Sequence, residues 1–542
     1  MTQLSQATKN LLLQYQTGDK ASQLKDGAIT IHVDEVAAKV AVFYERIRGI
    51  IDWREEHLLK RGAIERMLKR RVMVGLDTLK EENTRESVAE PLVLELIRGG
   101  HYPNDQIPES KISDVQKALD KYIFILKNTP QAENGQEAMK FYNWFLSIAS
   151  CEIEEILSSS YKERALIAFM FESMKEKIVL NEGAVATKPV KEDEKNIQIY
   201  IAVQKALFKL DSPVIGYHLI KYKYPNWKTI SQEELLEVAK NMLTLRKKIE
   251  RNINHPLANK FYQICERYDT PYLLLGDIVS TDPQGSEEKF SKPEIIEAEI
   301  KDAYNKRVKT LKNRLARAAL YATLSIFITK IIVGMAIEIP IDKYITHEYN
   351  LLSLIINIII PPVLMYLLVS TIKVPGRENL ERAVLETMKI IHQTEKKDVY
   401  EIKTFKARKS FVISGAINFI YILTFALTLS LIIYILRGLK FSPLSIIIFV
   451  LFTSLIAFTG TRIRQRSKEL EIIEEKEGFF NMILDLFAIP LVEVGKWLTQ
   501  KWQKYNFISA LFNILIDMPF MVFIEFIEQW RYFLKEKKEK IQ

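Results

Sequence analysis

Between Lys409 and Arg437 the chain runs from Ser410 to Leu436 without one charged side chain, and two similar tracts, Leu351–Ile372 and Phe441–Thr461, flank it. About 20 apolar residues, rising about 1.5 Å each, cross a hydrocarbon core of about 30 Å. Inside that core every backbone amide must find its partner within the protein, which a helix does on its own. With a fourth tract, Ala318–Ile337, the expected fold class is all-α: a polytopic α-helical membrane protein. It has four clear transmembrane helices, two kinked amphipathic C-terminal helices and a large N-terminal cytoplasmic helical region.

Polarity divides the chain. Charged residues concentrate before the first span, where apolar residues recur at three and four and no alternating strand run stands out. Residues 1–180 read as one cytoplasmic helical lobe, with helices near 55–80, 86–98, 112–127, 136–157 and 161–180. Asp34 is a candidate cap for a further helix whose apolar face is Val36, Val40, Phe43, Ile47 and Ile50. The polar, aromatic-free tract 181–195 reads as a flexible linker, and 196–282 as a second lobe interrupted at Pro225 and at Thr270-Pro271.

Ser291, Pro293 and Glu294 form a capping-box signature. The stripe Ile296, Ile300, Tyr304, Val308, Leu311 and Leu315 that follows predicts one rod over 293–337, entering the membrane unbroken. The remaining expected elements are spans at 351–372, 411–436 and 441–461, a cytoplasmic helical loop at 373–410, and a cytoplasmic helix at 462–478. Two repeated amphipathic helices and a basic tail fill 479–542.

The loop 373–410 holds ten Lys and Arg, and Arg462, Arg464, Arg466 and Lys468 follow the fourth span. The loop after the first span carries Glu338 and Asp342 instead. Excess Lys and Arg marks cytoplasmic loops, so the chain is expected in the cell (inner) membrane with both termini cytoplasmic. The formal charge of +9 is read as topology, not as a nucleic-acid signal. The first residues lack a basic region followed by an apolar core, so the soluble part is expected to stay where it is made. Cys151 and Cys265 are far apart, without the spacing of a metal site. The basic run Lys60, Arg61, Arg66, Lys69, Arg70 and Arg71 is interleaved with Glu65 and reads as a solvated, ion-paired helix, with anionic lipid headgroups as the alternative contact.

Residues 480–497 and 512–529 align without gaps at an offset of 32. Asn481, Asp485, Glu493 and Lys496 match Asn513, Asp517, Glu525 and Glu528, each set within an arc of about 120°. Either both helices lie on the cytoplasmic leaflet with these stripes toward water, or they form a transmembrane hairpin whose acids line a hydrophilic path. In the clear spans, Lys330 either snorkels toward Glu338 and Asp342 or pairs with Asp517 or another buried acid. Asn357 is the other candidate, because Pro361 and Pro362 free backbone carbonyls nearby. Asn418, Tyr421, Thr424 and Thr428 are expected to bond neighbouring helices.

No phosphate-binding glycine loop, nucleophile elbow or zinc-protease helix occurs, and no cofactor or metal is implied. The leading expectation is a non-enzymatic integral membrane scaffold or docking protein, its partners the lipid bilayer and a cytoplasmic protein. The alternative is a small-ion or solute transporter or channel using Lys330, Asn357, Asp485 and Asp517, with Glu493 and Glu525 as further intramembrane candidates.

Overall fold

The structure, a computed structural model, describes residues 4–22, 29–33, 56–75, 88–130, 134–158, 160–181, 191–345, 347, 350–370, 372, 374–392, 398–403, 411–472, 479–504, 526, 530, 533, 534 and 537. Its described residues are overwhelmingly helical. The helix expected to start at Asp34 lies outside them.

Before the rod, helices run Gln6–Ser22, Glu56–Gly75, Ala89–Arg98, Ser110–Asn128, Gly135–Leu157, Tyr161–Lys177, Glu192–Phe208, Ser212–Lys223, Gln232–Lys240, Met242–Ile253, Ala258–Arg267 and Asp269–Thr281. Several starts are locally encoded. The Glu137 amide donates to Asn134 Oδ1 at 2.8 Å and the Glu234 amide to Ser231 Oγ at 3.3 Å. Asp211 caps the helix that opens Ser212-Pro213. Three expectations change. The break expected at Thr270-Pro271 falls at Tyr268, between Ala258–Arg267 and Asp269–Thr281, so Pro271 sits in the first turn of the second helix, where a missing N–H goes unused. The predicted 231–254 helix is two helices meeting at Asn241. The 161–180 helix stops at Lys177, and Ile178–Asn181 (β1) pairs in parallel with Tyr400–Lys403 (β2). A four-residue strand is too short to print an alternating pattern on the sequence.

The stretches before and after the linker meet over a shared apolar core that includes Phe145, Ile148, Tyr217 and Trp227. Polar ties cross the same seam. Arg61, buried rather than solvated, forks onto both carboxylate oxygens of Asp211. Glu152 accepts from Trp227 Nε1 at 2.8 Å, and Glu155 from Lys221 Nζ at 2.8 Å. Asn181 ends β1 and Glu192 opens a helix, while residues 182–190 lie outside the described set.

The rod begins at Pro293 and runs 41 residues to Val333, about 60 Å. Ser291 does not cap it. Its hydroxyl donates backward to the Glu287 carbonyl at 3.0 Å, closing the short helix Ser286–Phe290. Ile296, Ile300, Tyr304, Leu311 and Leu315 are buried as the stripe predicts, and Val308 is half-buried. The rod packs on Asp269–Thr281, where Arg307 Nη2 donates to Asp277 Oδ1 at 2.9 Å, and on the loop helix Arg377–Ile391.

Among the described residues, four helices are long and apolar enough to cross a membrane: Pro293–Tyr344 in its second half, Ser353–Ser370, Gly415–Gly438 and Pro443–Ser467. Ser442 caps the fourth by accepting from the Ser445 amide at 3.1 Å, with Pro443 in the first turn. Arg462, Arg464 and Arg466 belong to this same helix, and Lys468–Leu470 form a turn, so the separate helix expected from 462 is absent among the described residues. Helix Phe479–Lys504 continues through Pro490 and packs along the fourth span. Of the second repeat copy only Phe526 is described.

Candidate functional site: a buried polar cluster at the C-terminal end of the first apolar helix

The first span does not end at Ile337. After Val333 the backbone widens into a π turn, Gly334–Glu338, and then continues as Ile339–Tyr344. Glu338 and Asp342, expected in an exposed acidic loop, are therefore helical and buried. The reason is local: Pro340 falls in the first turn of the continuing helix, where its missing N–H does not break it.

Two further helices and one turn supply the walls of the site. Lys330 is fully buried, its Nζ 3.6 Å from Glu338 Oε2 and 5.0 Å from the centre of the Phe452 ring on the fourth span. Asn357 Nδ2, from the second span, donates to Glu338 Oε1. Ser445 Oγ, from the fourth span, meets both Glu338 Oε1 and, at 3.1 Å, Asp342 Oδ2. One hydroxyl proton can serve only one of these two oxygens at a time. Ser353 Oγ reaches the carbonyls of Leu439 at 3.0 Å and Lys440 at 3.1 Å, fixing the turn between the third and fourth spans over the site. A cavity of about 10 Å³ lies among Glu338, Asp342, Asn350, Ser353, Ser442 and Ser445. That is room for one water-sized body.

The cluster is incompletely bonded. Lys330 Nζ, Glu338 Oε2 and Asn357 Oδ1 are buried and have no hydrogen-bond partner among the described residues. The backbone adds to this, because Pro361 has no N–H to give the Asn357 carbonyl four residues earlier. In an apolar surround each such group costs about 1 to 3 kcal/mol, and a charged one more.

Of the sequence candidates, Lys330 and Asn357 are brought together, with Glu338 between them. The partner of Lys330 is thus an acid of its own helix. Asp485 lies on helix Phe479–Lys504, with its side chain outside the described set. Glu493 is elsewhere, exposed and paired with Lys496 at 3.4 Å. Asp517 and Glu525 lie outside the described residues. Sequence reasoning named Glu338 and Asp342 as loop acids toward which Lys330 snorkels, and passed over Ser353, Ser445 and Phe452. That the two acids belong to the site was signalled by their spacing of four, which puts them on one helical face if the helix continues. In the third span, Thr424 bonds its own helix at the Ile420 carbonyl, 2.8 Å away, whereas Thr428 reaches the Phe487 carbonyl of the neighbouring helix at 3.5 Å. Asn418 and Tyr421 are exposed.

The class this architecture defines is an all-helical protein with four helices able to span a membrane and a polar cluster among three of them. Comparison of the chain with protein families, with curated proteins and with solved structures gave no match.

Proposed function

We propose that this protein is a non-enzymatic, multi-pass protein of the cell membrane that handles a small cation, proton or metal, at the Lys330–Glu338–Asn357 cluster. Both termini face the cytoplasm in this reading, which the Lys- and Arg-rich segments 373–410 and 462–468 support. One observation carries the proposal: a buried lysine ammonium stands 3.6 Å from a carboxylate oxygen, and neither atom has a hydrogen bond among the described residues. A purely structural ion pair withstands desolvation only when its remaining donors and acceptors are matched. Here they are open, and Ser445 is shared between two acids, so the acids are set up to exchange partners. Charged residues at such depth usually belong to ion or proton paths.

The test is flux through proteoliposomes holding the purified protein, read with pH-sensitive and alkali-metal-sensitive dyes. Glu338→Gln should abolish movement of the cation. A folded Glu338→Gln protein with parental flux would sink the proposal.

A second reading, a scaffold or docking platform for a cytoplasmic protein, draws on the single packed core that carries the helical body and on the grip of that body on the loop between the second and third spans. It gains the lead if the parent protein moves no cation and deletion of the helical body alone removes the cellular phenotype.

A further inference from the structure

The helical body grips the loop between the second and third spans at several points. The Ser5 amide donates to the Ile391 carbonyl at 2.9 Å, and Thr8 Oγ1 lies 3.3 Å from the carbonyls of both Ile390 and Ile391. These contacts close the C-terminus of the loop helix Arg377–Ile391. Farther on, β2 pairs with β1 of the body, and Tyr400 stacks on Tyr268 with ring centres 4.4 Å apart.

At the other end of the loop helix sits Asn379, buried between two elements that carry the intramembrane site. Its Nδ2 donates to Tyr304 Oη on the rod at 2.8 Å and to the Leu470 carbonyl at 2.6 Å, and the Ile472 amide donates to its Oδ1 at 2.7 Å. Both amide hydrogens and the amide oxygen are engaged. Tyr304 lies on the same continuous helix as Lys330, about 40 Å away. Leu470 closes the turn that ends the fourth span, the helix that brings Ser445 to Glu338 and Phe452 to Lys330.

We propose that Asn379 is a positioning residue: it clamps the inner ends of the rod and the fourth span, and through the loop helix lets the helical body set the geometry of the Lys330–Glu338–Ser445 site. The two helices pack directly on each other, so a rigid pivot at their inner ends is felt at their outer ends. Any event that moves the body relative to the membrane, such as a bound partner, then reaches the site through one side chain. The regulatory part of this inference rests on the ion-handling reading, while the clamp itself does not, and the experiment separates the two.

The reporter is Ser353→Cys at the outer cavity, labelled with a charged, membrane-impermeant maleimide in full-length protein reconstituted in vesicles. Cys151 and Cys265 are buried, so the new thiol reports alone against the unsubstituted parent. Adding Asn379→Leu removes all three bonds and should raise the labelling rate about fivefold or more, since each bond contributes about 1 kcal/mol. Tyr304→Phe removes one bond and should raise it less. A folded Asn379→Leu protein, with parental melting, that labels at the parental rate overturns the clamp. Should Asn379→Leu fail to fold, Tyr304→Phe decides in the same way. Flux measured in the same vesicles should change along with labelling. A parent that passes no cation overturns the ion-handling reading, while the labelling rates still decide the clamp.

Discussion

Lys330 and Glu338 face each other across a π turn on one continuous helix, eight positions apart in sequence. In an unbroken α-helix that spacing leaves two side chains about 80° apart around the axis. A π turn takes up one extra residue, which returns the pair to within about 20° of a common face. Asn357 and Ser445 then hold the carboxylate from two other helices.

This arrangement predicts a non-additive pair of substitutions. Lys330→Met and Glu338→Gln should each destabilise the protein, by about 3 to 5 kcal/mol where one change strands the partner's charge, whereas the double variant should recover most of the loss. Thermal unfolding of the purified protein in detergent measures all three. Additive losses would mean that the two residues do not sense one another.

The sequence contained the spans, the rod and its apolar stripe, because each rests on a long periodic or uncharged run. It named Lys330 and Asn357 because a cation and an amide stand out in such runs. Glu338 was read as a loop acid rather than a buried helical one, because a one-residue change of helical phase leaves no compositional trace and an acid just past an apolar tract looks like the start of a loop. The strand pair escaped for a related reason: β1 and β2 are four residues each and lie 222 positions apart by register, Ile178 against Tyr400. Asn379 had no chance of being read, since its role is defined by partners on two distant segments.

Gly495 marks where helix Phe479–Lys504 meets the fourth span. A Cβ built there would run into the Ser454 carbonyl oxygen, a backbone atom that cannot swing aside. Gly495→Ala should therefore separate the two helices and lower stability by about 1 to 3 kcal/mol. The check is the melting temperature, together with disulfide trapping of a cysteine pair across the contact. Undiminished trapping and melting in the alanine variant would show that the close approach is not required.

Asp269 gives the helical body a pH dependence of known sign. Burial raises its carboxyl from the ordinary 3.8 to about 8, against the pull of nearby Lys209. The folded state then holds the proton more tightly than the unfolded chain. Its contribution is complete below about pH 3.8 and is lost as pH rises through about 8. Asp269→Asn, neutral at every pH, should remove that part of the decline, so the stability difference between variant and parent should grow in the variant's favour toward alkaline pH. Glu154, raised to about 7 by burial, and Glu155, lowered to about 2, titrate in both proteins and drop out of the difference. Parallel melting profiles for the two proteins would show that Asp269 ionises in the folded body at an ordinary pH.

Glu152 is the acceptor around which the two stretches of the body close. It takes Lys121 Nζ at 2.6 Å, Tyr122 Oη at 2.9 Å and Trp227 Nε1 at 2.8 Å, all in the interior, while Lys121 also lies 4.6 Å from the Trp227 ring centre. Glu152→Leu keeps the volume but leaves the Tyr122 hydroxyl and the Trp227 indole N–H without their acceptor, and takes the counter-charge from the Lys121 ammonium, which keeps its bond to the Trp227 carbonyl at 3.1 Å. The loss should be about 3 to 5 kcal/mol, because a stranded buried cation is worse than no pair at all. Glu152→Gln retains one acceptor oxygen and should fall between parent and leucine variant. Lys121→Met in the Glu152→Leu background removes the stranded charge and should restore part of the stability. Chemical denaturation of the four proteins measures this order, and a leucine variant as stable as the parent would mean that the body closes on its apolar core alone.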